Sequence, residues 1–316
     1  MPTIELHHVD AFTNTPFEGN PAGVVVNANE LTEANMQLIA RELNLSETAF
    51  VLDPTAAEII PHDITEIDEH QPNMPQADIR IRFFTPTSEV DFCGHATVAT
   101  LFTLAKLGMH GLGNDGKNSV QVETKAGQLE MSVTNTEEET EMTFTAPPVD
   151  MRAYSQQGEH FAGKAGMPLD AIDTKASVLI DRKLNYLYVP VVSLEKLQAI
   201  SFDFARIRNT FSEEETVVFC FYTNQGIESG ADLHARGLAP LVGIDEDPFT
   251  GSMQAGLIHA AKQNVYIPTD QKEIHTEQGH SIGRPSSARI THDTIANTVL
   301  VTANAATVFA ATMEIK

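Results

Sequence analysis

The sequence predicts an α/β (α+β) fold built from two similar halves, each a β-rich unit around one apolar helix. Most of the chain consists of short apolar or alternating runs bounded by turn residues, a pattern typical of strands. Two segments, 96–107 and 253–261, lack a polar face, which is typical of a helix that is buried all round. Each belongs to a motif of similar layout, at 91–101 and 247–257, so the sequence indicates a duplicated unit with a curved sheet around its helix.

The first half is predicted to contain strands and one amphipathic helix. The helix is expected over 32–44, where Met36, Ile39 and Leu43 recur near helical spacing. The polar, acidic and proline-bearing segment at 53–78 predicts a long surface loop. The strands are expected at 4–12, 24–26, 49–52 and 79–84.

A domain boundary is predicted at 109–118, which holds three glycines and an Asn-Asp-Gly turn and divides the chain into halves of 1–112 and 113–302. Short helices are expected at 194–200 and 202–207. The strands of the second half are expected at 119–124, 128–134, 141–146, 177–180, 186–192, 216–222 and 288–291, with two more within 298–315.

The net charge and the cysteine content of the chain indicate which classes of partner and which cellular location to expect. Its 316 residues include 20 Lys and Arg against 43 Asp and Glu, a formal charge of −23. Such a field argues against nucleic acid, whose binding depends on basic neutralisation of phosphate, and against anionic membrane surfaces. Two cysteines, no visible secretory signal and no apolar run of membrane-spanning length predict a reduced, cytoplasmic setting.

The two motifs predict a binding site for a small anion. Gly94 stands at the first predicted helix start, and Gly251 and Ser252 stand at the second. Glycine lets backbone N–H groups approach a ligand, and the unpaired N–H groups at a helix start favour a carboxylate or phosphate. Two such starts facing each other would form one cleft for a small acidic substrate. Tight strand-to-helix turns would explain the same glycines without a ligand.

Five groups of residues carry a more specific resemblance. They lie at 9–24, at 43–50, at 84–86 with 93–97, at 245–252, and at 278–279 with 283–286. In this order they resemble the motifs of the phenazine-biosynthesis PhzF-like isomerase family, over almost the whole chain. The resemblance implies the diaminopimelate-epimerase-like fold, with two pseudo-symmetric halves that are each a barrel-like mixed sheet around a central helix. It also implies an active site in the cleft between the halves, a C-terminal strand at 303–316 that returns to the first half, and a homodimer.

Glu47 has two interpretations. The residues alone favour a capping box with Asn44 as N-cap and Glu47 at N3, because helix caps are common. The resemblance implies instead that Glu47 is the proton shuttle of a cofactor-independent isomerase, a role that suits a carboxylate in a buried setting. It would take a proton from one carbon of a small carboxylic acid and return it to another. The reaction named for the family isomerises trans-2,3-dihydro-3-hydroxyanthranilate.

Three further residues are candidates for the same site. The resemblance makes His95 a substrate contact and auxiliary acid, although a lone histidine is more often structural. It makes Asp247 a holder of substrate polar groups that also fixes the protonation pattern, yet Asp247 fits equally well as an N-cap of the second helix. Asn20 would place an amide near the cleft or serve as a turn residue. Arg236 and Arg284 are interpreted as structural ion-pair residues.

Other classes of function remain open. A two-thiol epimerase or racemase needs opposed thiols on one carbon, but the second motif holds no cysteine to match Cys93, and Cys220 lies in an expected core strand. A buried, inert Cys93 is therefore expected. A non-catalytic binding homologue is the third class, which the joint presence of Glu47, His95 and Asp247 disfavours. The sequence shows no spacing such as His-Glu-x-x-His and no nucleotide motif, so no metal and no cofactor are expected.

Overall fold

The computed structural model of the chain describes residues 3–55, 77–296 and 298–315. Most of the predicted surface loop at 53–78 lies outside these ranges. Strands dominate the described residues, and helices are few, so the predicted mixed α/β fold class is confirmed. No α-helix within the described ranges is both long enough and apolar enough to cross a membrane.

The α-helices are α1 (Glu33–Leu43), α2 (Gly94–Lys106), α3 (Gly158–Ala165), α4 (Leu194–Ala199), α5 (Phe204–Thr210) and α6 (Gln254–Gln263). The strands are β1 (Thr3–Ala11), β2 (Asn20–Val25), β3 (Glu47–Leu52), β4 (Ile79–Phe84), β5 (Glu89–Val90), β6 (Gly116–Thr124), β7 (Gly127–Asn135), β8 (Thr140–Thr145), β9 (Met151–Ala153), β10 (Leu179–Asp181), β11 (Tyr186–Pro190), β12 (Val218–Thr223), β13 (Leu233–Ala239), β14 (Ile244–Asp247), β15 (Glu273–Gln278), β16 (Ser286–Asp293), β17 (Thr298–Ala303) and β18 (Ala305–Glu314).

The described residues form two compact units. The first comprises the described parts of Met1–Val9, Ala22–Met142 and Phe309–Lys316, and the second comprises those of Asp10–Pro21 and Thr143–Val308. The predicted division between 112 and 113 falls inside the first unit. The first unit extends beyond residue 112 because β6 runs parallel to β4 and pairs along its whole length with β7.

In the first unit a mixed sheet carries the apolar helix α2. β2 and β3 are parallel, β4 is antiparallel to β3, and β6 is parallel to β4. α2 packs against β3 and β7, and every residue from His95 to Ala105 is buried. This burial explains the missing polar face of the segment predicted at 96–107, which the structure shows as a helix that begins at Gly94.

The second unit also combines a mixed sheet with one buried helix. β11 runs parallel to β12 and β13 parallel to β15, while the pairs β12–β13, β15–β16 and β16–β17 are antiparallel. α6 packs against β9, β11 and β17. A Cβ on Gly256 would lie 2.0 Å from the hydroxyl oxygen of Tyr188, so only glycine permits this close approach of helix and strand. The helix predicted at 253–261 is thus present as α6, after one 3₁₀ turn at Gly251–Met253.

Candidate active site

The position of Glu47 follows from how α1 ends. Asn44 closes α1 in the left-handed conformation, with φ 52°, and its N–H donates to the carbonyl oxygen of Ala40. Asparagine tolerates this conformation better than most residues, which favours it at a helix C-terminus. Glu47 then begins β3, beside Ala22 of β2. The capping-box interpretation with Asn44 as N-cap is therefore wrong, and the capping box of α1 lies at Thr32 instead.

The start of α2 brings His95 against Glu47. Nε2 of His95 lies 3.2 Å from the hydroxyl oxygen of Ser46 and 3.3 Å from Oε2 of Glu47. Nδ1 of His95 lies 3.3 Å from Sγ of Cys93, which is the N-cap residue of α2. Ser46, Glu47, Cys93 and His95 all belong to the first unit. We call these four residues the Glu47 cluster.

The Glu47 carboxylate is largely shielded from water but incompletely bonded. The side chain of Glu47 is 14% exposed and that of His95 is 9% exposed. Oε2 of Glu47 is buried and has no hydrogen-bond partner among the described residues, because its approach to His95 lacks hydrogen-bond geometry. A buried carboxylate oxygen with open lone pairs next to an imidazole has the composition of an acid–base pair.

A second cluster surrounds Asp247 in the second unit. Asp247 ends β14, and its Oδ1 accepts a hydrogen bond of 2.8 Å from the amide of Asn20. Its Oδ2 accepts one of 2.5 Å from the hydroxyl of Thr250, and its backbone carbonyl accepts one of 2.7 Å from the amide of Gln278. We call Asn20, Asp247, Thr250 and Gln278 the Asp247 cluster.

The interpretation of Asp247 as an N-cap is wrong. The 3₁₀ turn Gly251–Met253 begins after Thr250, and the N-cap residue of α6 itself is Met253. The Asp247 carboxylate bonds side chains of the cluster, with one hydrogen bond spanning 227 positions to Asn20. Asn20 is buried and donates a second hydrogen bond of 3.0 Å to the carbonyl oxygen of Phe249, so it is more than an ordinary turn residue.

The residues of the predicted anion-binding site lie at helix starts. Gly94 is the first residue of α2, and Gly251 begins the turn that leads into α6. A Cβ on Gly251 would lie 2.9 Å from Cζ of Phe144, so packing alone requires glycine there. The hydroxyl oxygen of Ser252 lies 3.2 Å from that of Tyr186. Burial raises the pKa of Tyr186, so this phenol keeps its proton.

Four residues that contact the predicted site residues were not themselves among them: Ser46, Thr250 and Gln278 of the two clusters, and Tyr186, which contacts Ser252. Ser46 and Thr250 lie within the family-like segments at 43–50 and 245–252, and Gln278 begins another. Their position in those segments is the feature of the sequence that could have identified them. Tyr186 has no such feature, because it lies on β11, far along the chain from the helix start that it contacts.

The two cysteines differ in their surroundings. Cys220 lies on the fully buried strand β12, and burial raises the pKa of its thiol well above the ordinary value, which keeps it protonated. Cys93 is buried as expected, but it contacts His95 rather than only apolar neighbours. Its Sγ, a nitrogen of His95 and an oxygen of Glu47 all lie within 4.8 Å of one another, so the types of donor would also suit a metal ion.

The two arginines set aside in the sequence form ion pairs, as predicted. Arg236 donates to both carboxylate oxygens of Glu246, at 2.9 and 2.7 Å, and both side chains are mostly buried. Arg284 donates to Oδ1 of Asp10 at 2.9 Å. These contacts assign both guanidinium groups to structural pairing.

Comparison with known proteins identifies the family. Residues 9–311 match the family model described as phenazine biosynthesis-like protein, so the chain belongs to this PhzF family. It is 32% identical over 308 residues to the uncharacterized isomerase YddE of Escherichia coli, with 91% of this chain and 89% of that protein covered. The crystal structure of a PhzF-family phenazine biosynthesis protein from Bacillus anthracis is similar over the full length of both chains, with 27% identity and a TM-score of 0.81.

A more distant structure shares the fold alone. A hydroxyproline epimerase from Agrobacterium vitis superposes with a TM-score of 0.59 at 10% identity, covering 99% of this chain and 91% of that one. Fold similarity at this level does not carry the substrate or the reaction of that protein to this chain.

Proposed function

We propose that the protein is a cofactor-independent isomerase that moves a proton between two carbons of a small carboxylic acid. The observation that carries this proposal is the buried, unbonded Oε2 of Glu47 beside the imidazole of His95. Family membership and relatives named as isomerases support the reaction class. A substrate related to trans-2,3-dihydro-3-hydroxyanthranilate is the finer proposal, which follows from the family resemblance.

In this proposal Glu47 acts as base and then as acid. Its carboxylate takes a proton from one carbon, and the electron pair of the broken C–H bond shifts into the conjugated system of the substrate. The same carboxyl group then returns the proton to a second carbon, so the reaction consumes no oxidant or reductant. His95 contacts the substrate and limits movement of Glu47, since its ring lies 3.3 Å from Oε2.

The Asp247 cluster is proposed to hold polar groups of the same substrate. Its carboxylate is fixed by Asn20 and Thr250, which suits a rigid acceptor for an amino or hydroxyl group. Gly94, Gly251 and Ser252 are proposed to supply backbone N–H groups to the substrate carboxylate. We also propose that the protein forms a homodimer, from the family resemblance, and that it lies in the cytoplasm, from the sequence.

Hydrogen exchange in heavy water tests the proposal without knowledge of the product. A panel of small cyclic and unsaturated carboxylic acids is incubated with the protein in deuterium oxide, and incorporation is followed by mass spectrometry and NMR. Glu47→Gln should keep the fold and ligand binding but lose most incorporation, because an amide cannot carry the proton. Glu42→Gln, an exposed change on α1, is the matched control. Incorporation at the wild-type rate by Glu47→Gln would refute the proposal.

An epimerase that inverts one carbon is the second candidate function. The 3.3 Å contact of Cys93 Sγ with His95 Nδ1 favours it, because an imidazole can accept the thiol proton and generate a thiolate. Cys93→Ser would then abolish turnover, whereas the proton-shuttle proposal expects this variant to stay active. A protein that binds the acids but exchanges no hydrogen would be the binding homologue.

A further inference from the structure

A second group of titratable side chains lies apart from both clusters. It consists of His234 on β13, Glu277 on β15 and His280 in the 3₁₀ turn that follows β15. One candidate ligand atom from each residue lies within 4.8 Å of the other two. The side chains of His234 and Glu277 are 0% and 1% exposed, and all three residues belong to the second unit. We call them the His234 cluster.

Three imidazole nitrogens of the His234 cluster have no hydrogen-bond partner among the described residues. They are Nε2 of His234 and both ring nitrogens of His280, and all three atoms are buried. Buried polar atoms are nearly always paired, since leaving them unpaired costs free energy. The two rings lie close together, with 5.2 Å between their centroids. Imidazole nitrogens with free lone pairs are the ligand type that first-row divalent metals prefer.

Glu277 fixes which nitrogen of His234 is available. Oε1 of Glu277 lies 2.8 Å from Nδ1 of His234 and also accepts from the backbone N–H of Ile227, while Oε2 accepts from that of Glu228 at 3.0 Å. Both oxygens of Glu277 thus already act as acceptors. The hydrogen bond between this carboxylate and His234 places the proton on Nδ1 and leaves a lone pair on Nε2.

This arrangement is one that metal-binding histidines share. A histidine that binds a metal through one nitrogen donates its other N–H to a carboxylate or carbonyl, which orients the ring.

We propose that His234 and His280 bind one first-row divalent metal ion. His234 supplies Nε2 and His280 supplies a ring nitrogen, while Glu277 orients His234 through the hydrogen bond at Nδ1. Imidazole nitrogens suit divalent metals of this kind, and water would complete the coordination. His280 also lines a cavity of about 770 Å³, together with Arg236 and Glu246. The bound ion would hold the turn after β15 against β13.

Zinc binding to the untagged, chelator-treated protein tests this inference. Calorimetric titration with zinc chloride should give one ion per chain, and zinc should raise the Tm because it binds the folded state. His280→Ala should abolish both effects. Glu277→Gln should weaken zinc binding about 10- to 100-fold, the usual effect of losing an orienting partner. His275→Ala, on the same strand as Glu277, is the matched control. The side chain of His275 is half-exposed and lies outside the cluster, so this variant should bind zinc as the wild type does.

Cobalt(II) absorption distinguishes this site from the Glu47 cluster. Cobalt bound at the His234 cluster should show d–d bands without a thiolate charge-transfer band, and the spectrum should survive Cys93→Ser. Circular dichroism checks folding, and His280→Gln replaces the alanine variant if that variant unfolds. Absence of stoichiometric binding, binding unchanged by the His280 substitutions, or a thiolate band lost in Cys93→Ser would each overturn the inference. None of these readouts depends on the isomerase activity.

Discussion

The carboxylates of Glu47 and Asp247 have contrasting surroundings. Oε2 of Glu47 is buried without a hydrogen-bond partner among the described residues, whereas both oxygens of Asp247 accept hydrogen bonds from Asn20 and Thr250. A carboxylate with open lone pairs can take up a proton, while one that is bonded on both sides loses those bonds if it does. The contrast favours proton transfer at the Glu47 cluster and substrate orientation at the Asp247 cluster.

Shortening Glu47 should give the largest effect. Glu47→Asp keeps the carboxylate but withdraws it by more than about 1 Å, and misplacement on this scale costs about 100-fold in rate. We expect kcat for hydrogen exchange to fall by this factor with little change in KM. Steady-state exchange with the acid that the panel identifies measures both constants. An equal rise in KM with an unchanged kcat would instead indicate that Glu47 only binds the substrate.

Changing Asp247 should give a smaller effect of a different kind. Asp247→Asn removes the negative charge and one acceptor oxygen, so we expect kcat/KM to fall about tenfold, chiefly through KM. Asp245→Asn, an exposed change at a residue paired with Arg208, is the control. The assignment of roles would be reversed if Asp247→Asn lost kcat as completely as Glu47→Gln and kept its KM.

The cysteines of the two units should differ in reactivity. A raised pKa keeps a thiol protonated up to a higher pH, so Cys220 should resist iodoacetamide through pH 9 in the folded protein. Cys93, in contact with His95, should react at least about tenfold faster. Peptide mass spectrometry measures both sites, and both should react in urea. Equal labelling of the folded protein would show that the His95 contact does not activate Cys93.

The smallest effects are expected from removing the hydroxyl groups of Ser46 and Thr250, which contact His95 and Asp247. Ser46→Ala removes the hydroxyl 3.2 Å from Nε2 of His95, and Thr250→Val removes the donor to Asp247. Each hydrogen bond is worth about 1 kcal/mol, so we expect changes of about fivefold. The change should appear in kcat for Ser46→Ala and in KM for Thr250→Val. If both variants changed the same constant, kcat or KM, the two clusters would not have the different roles proposed for them.

Much of the fold follows from the sequence because apolar patterns report burial directly. The missing polar faces of α2 and α6 predicted two buried helices, and both are present. β13 and β15 were not predicted, because their residues include buried His234, Arg236 and Glu277, whose charges or polarity are satisfied by distant partners. A pattern based on apolar residues does not register strands of this kind.

The candidate site was predicted as a set of residues rather than as a set of contacts. Glu47, His95 and Asp247 were selected by resemblance, and local rules misjudged two of them as caps. The capping rules failed because they consider only neighbours in sequence. The contact of Glu47 with His95 spans 48 positions, and the hydrogen bond of Asn20 with Asp247 spans 227, so only the folded chain reveals them.

The left-handed turn at Asn44 makes the approach to Glu47 intolerant of changes in chain length. Only three residues, Asn44 to Ser46, separate the end of α1 from the first residue of β3, which leaves no slack to absorb an insertion or a deletion. Adding one residue there would slide β3 by one step along β2, and alternate side chains of a strand point to opposite faces. Evolution of this segment would then proceed by substitution, because a single-residue indel would turn the glutamate away from its histidine.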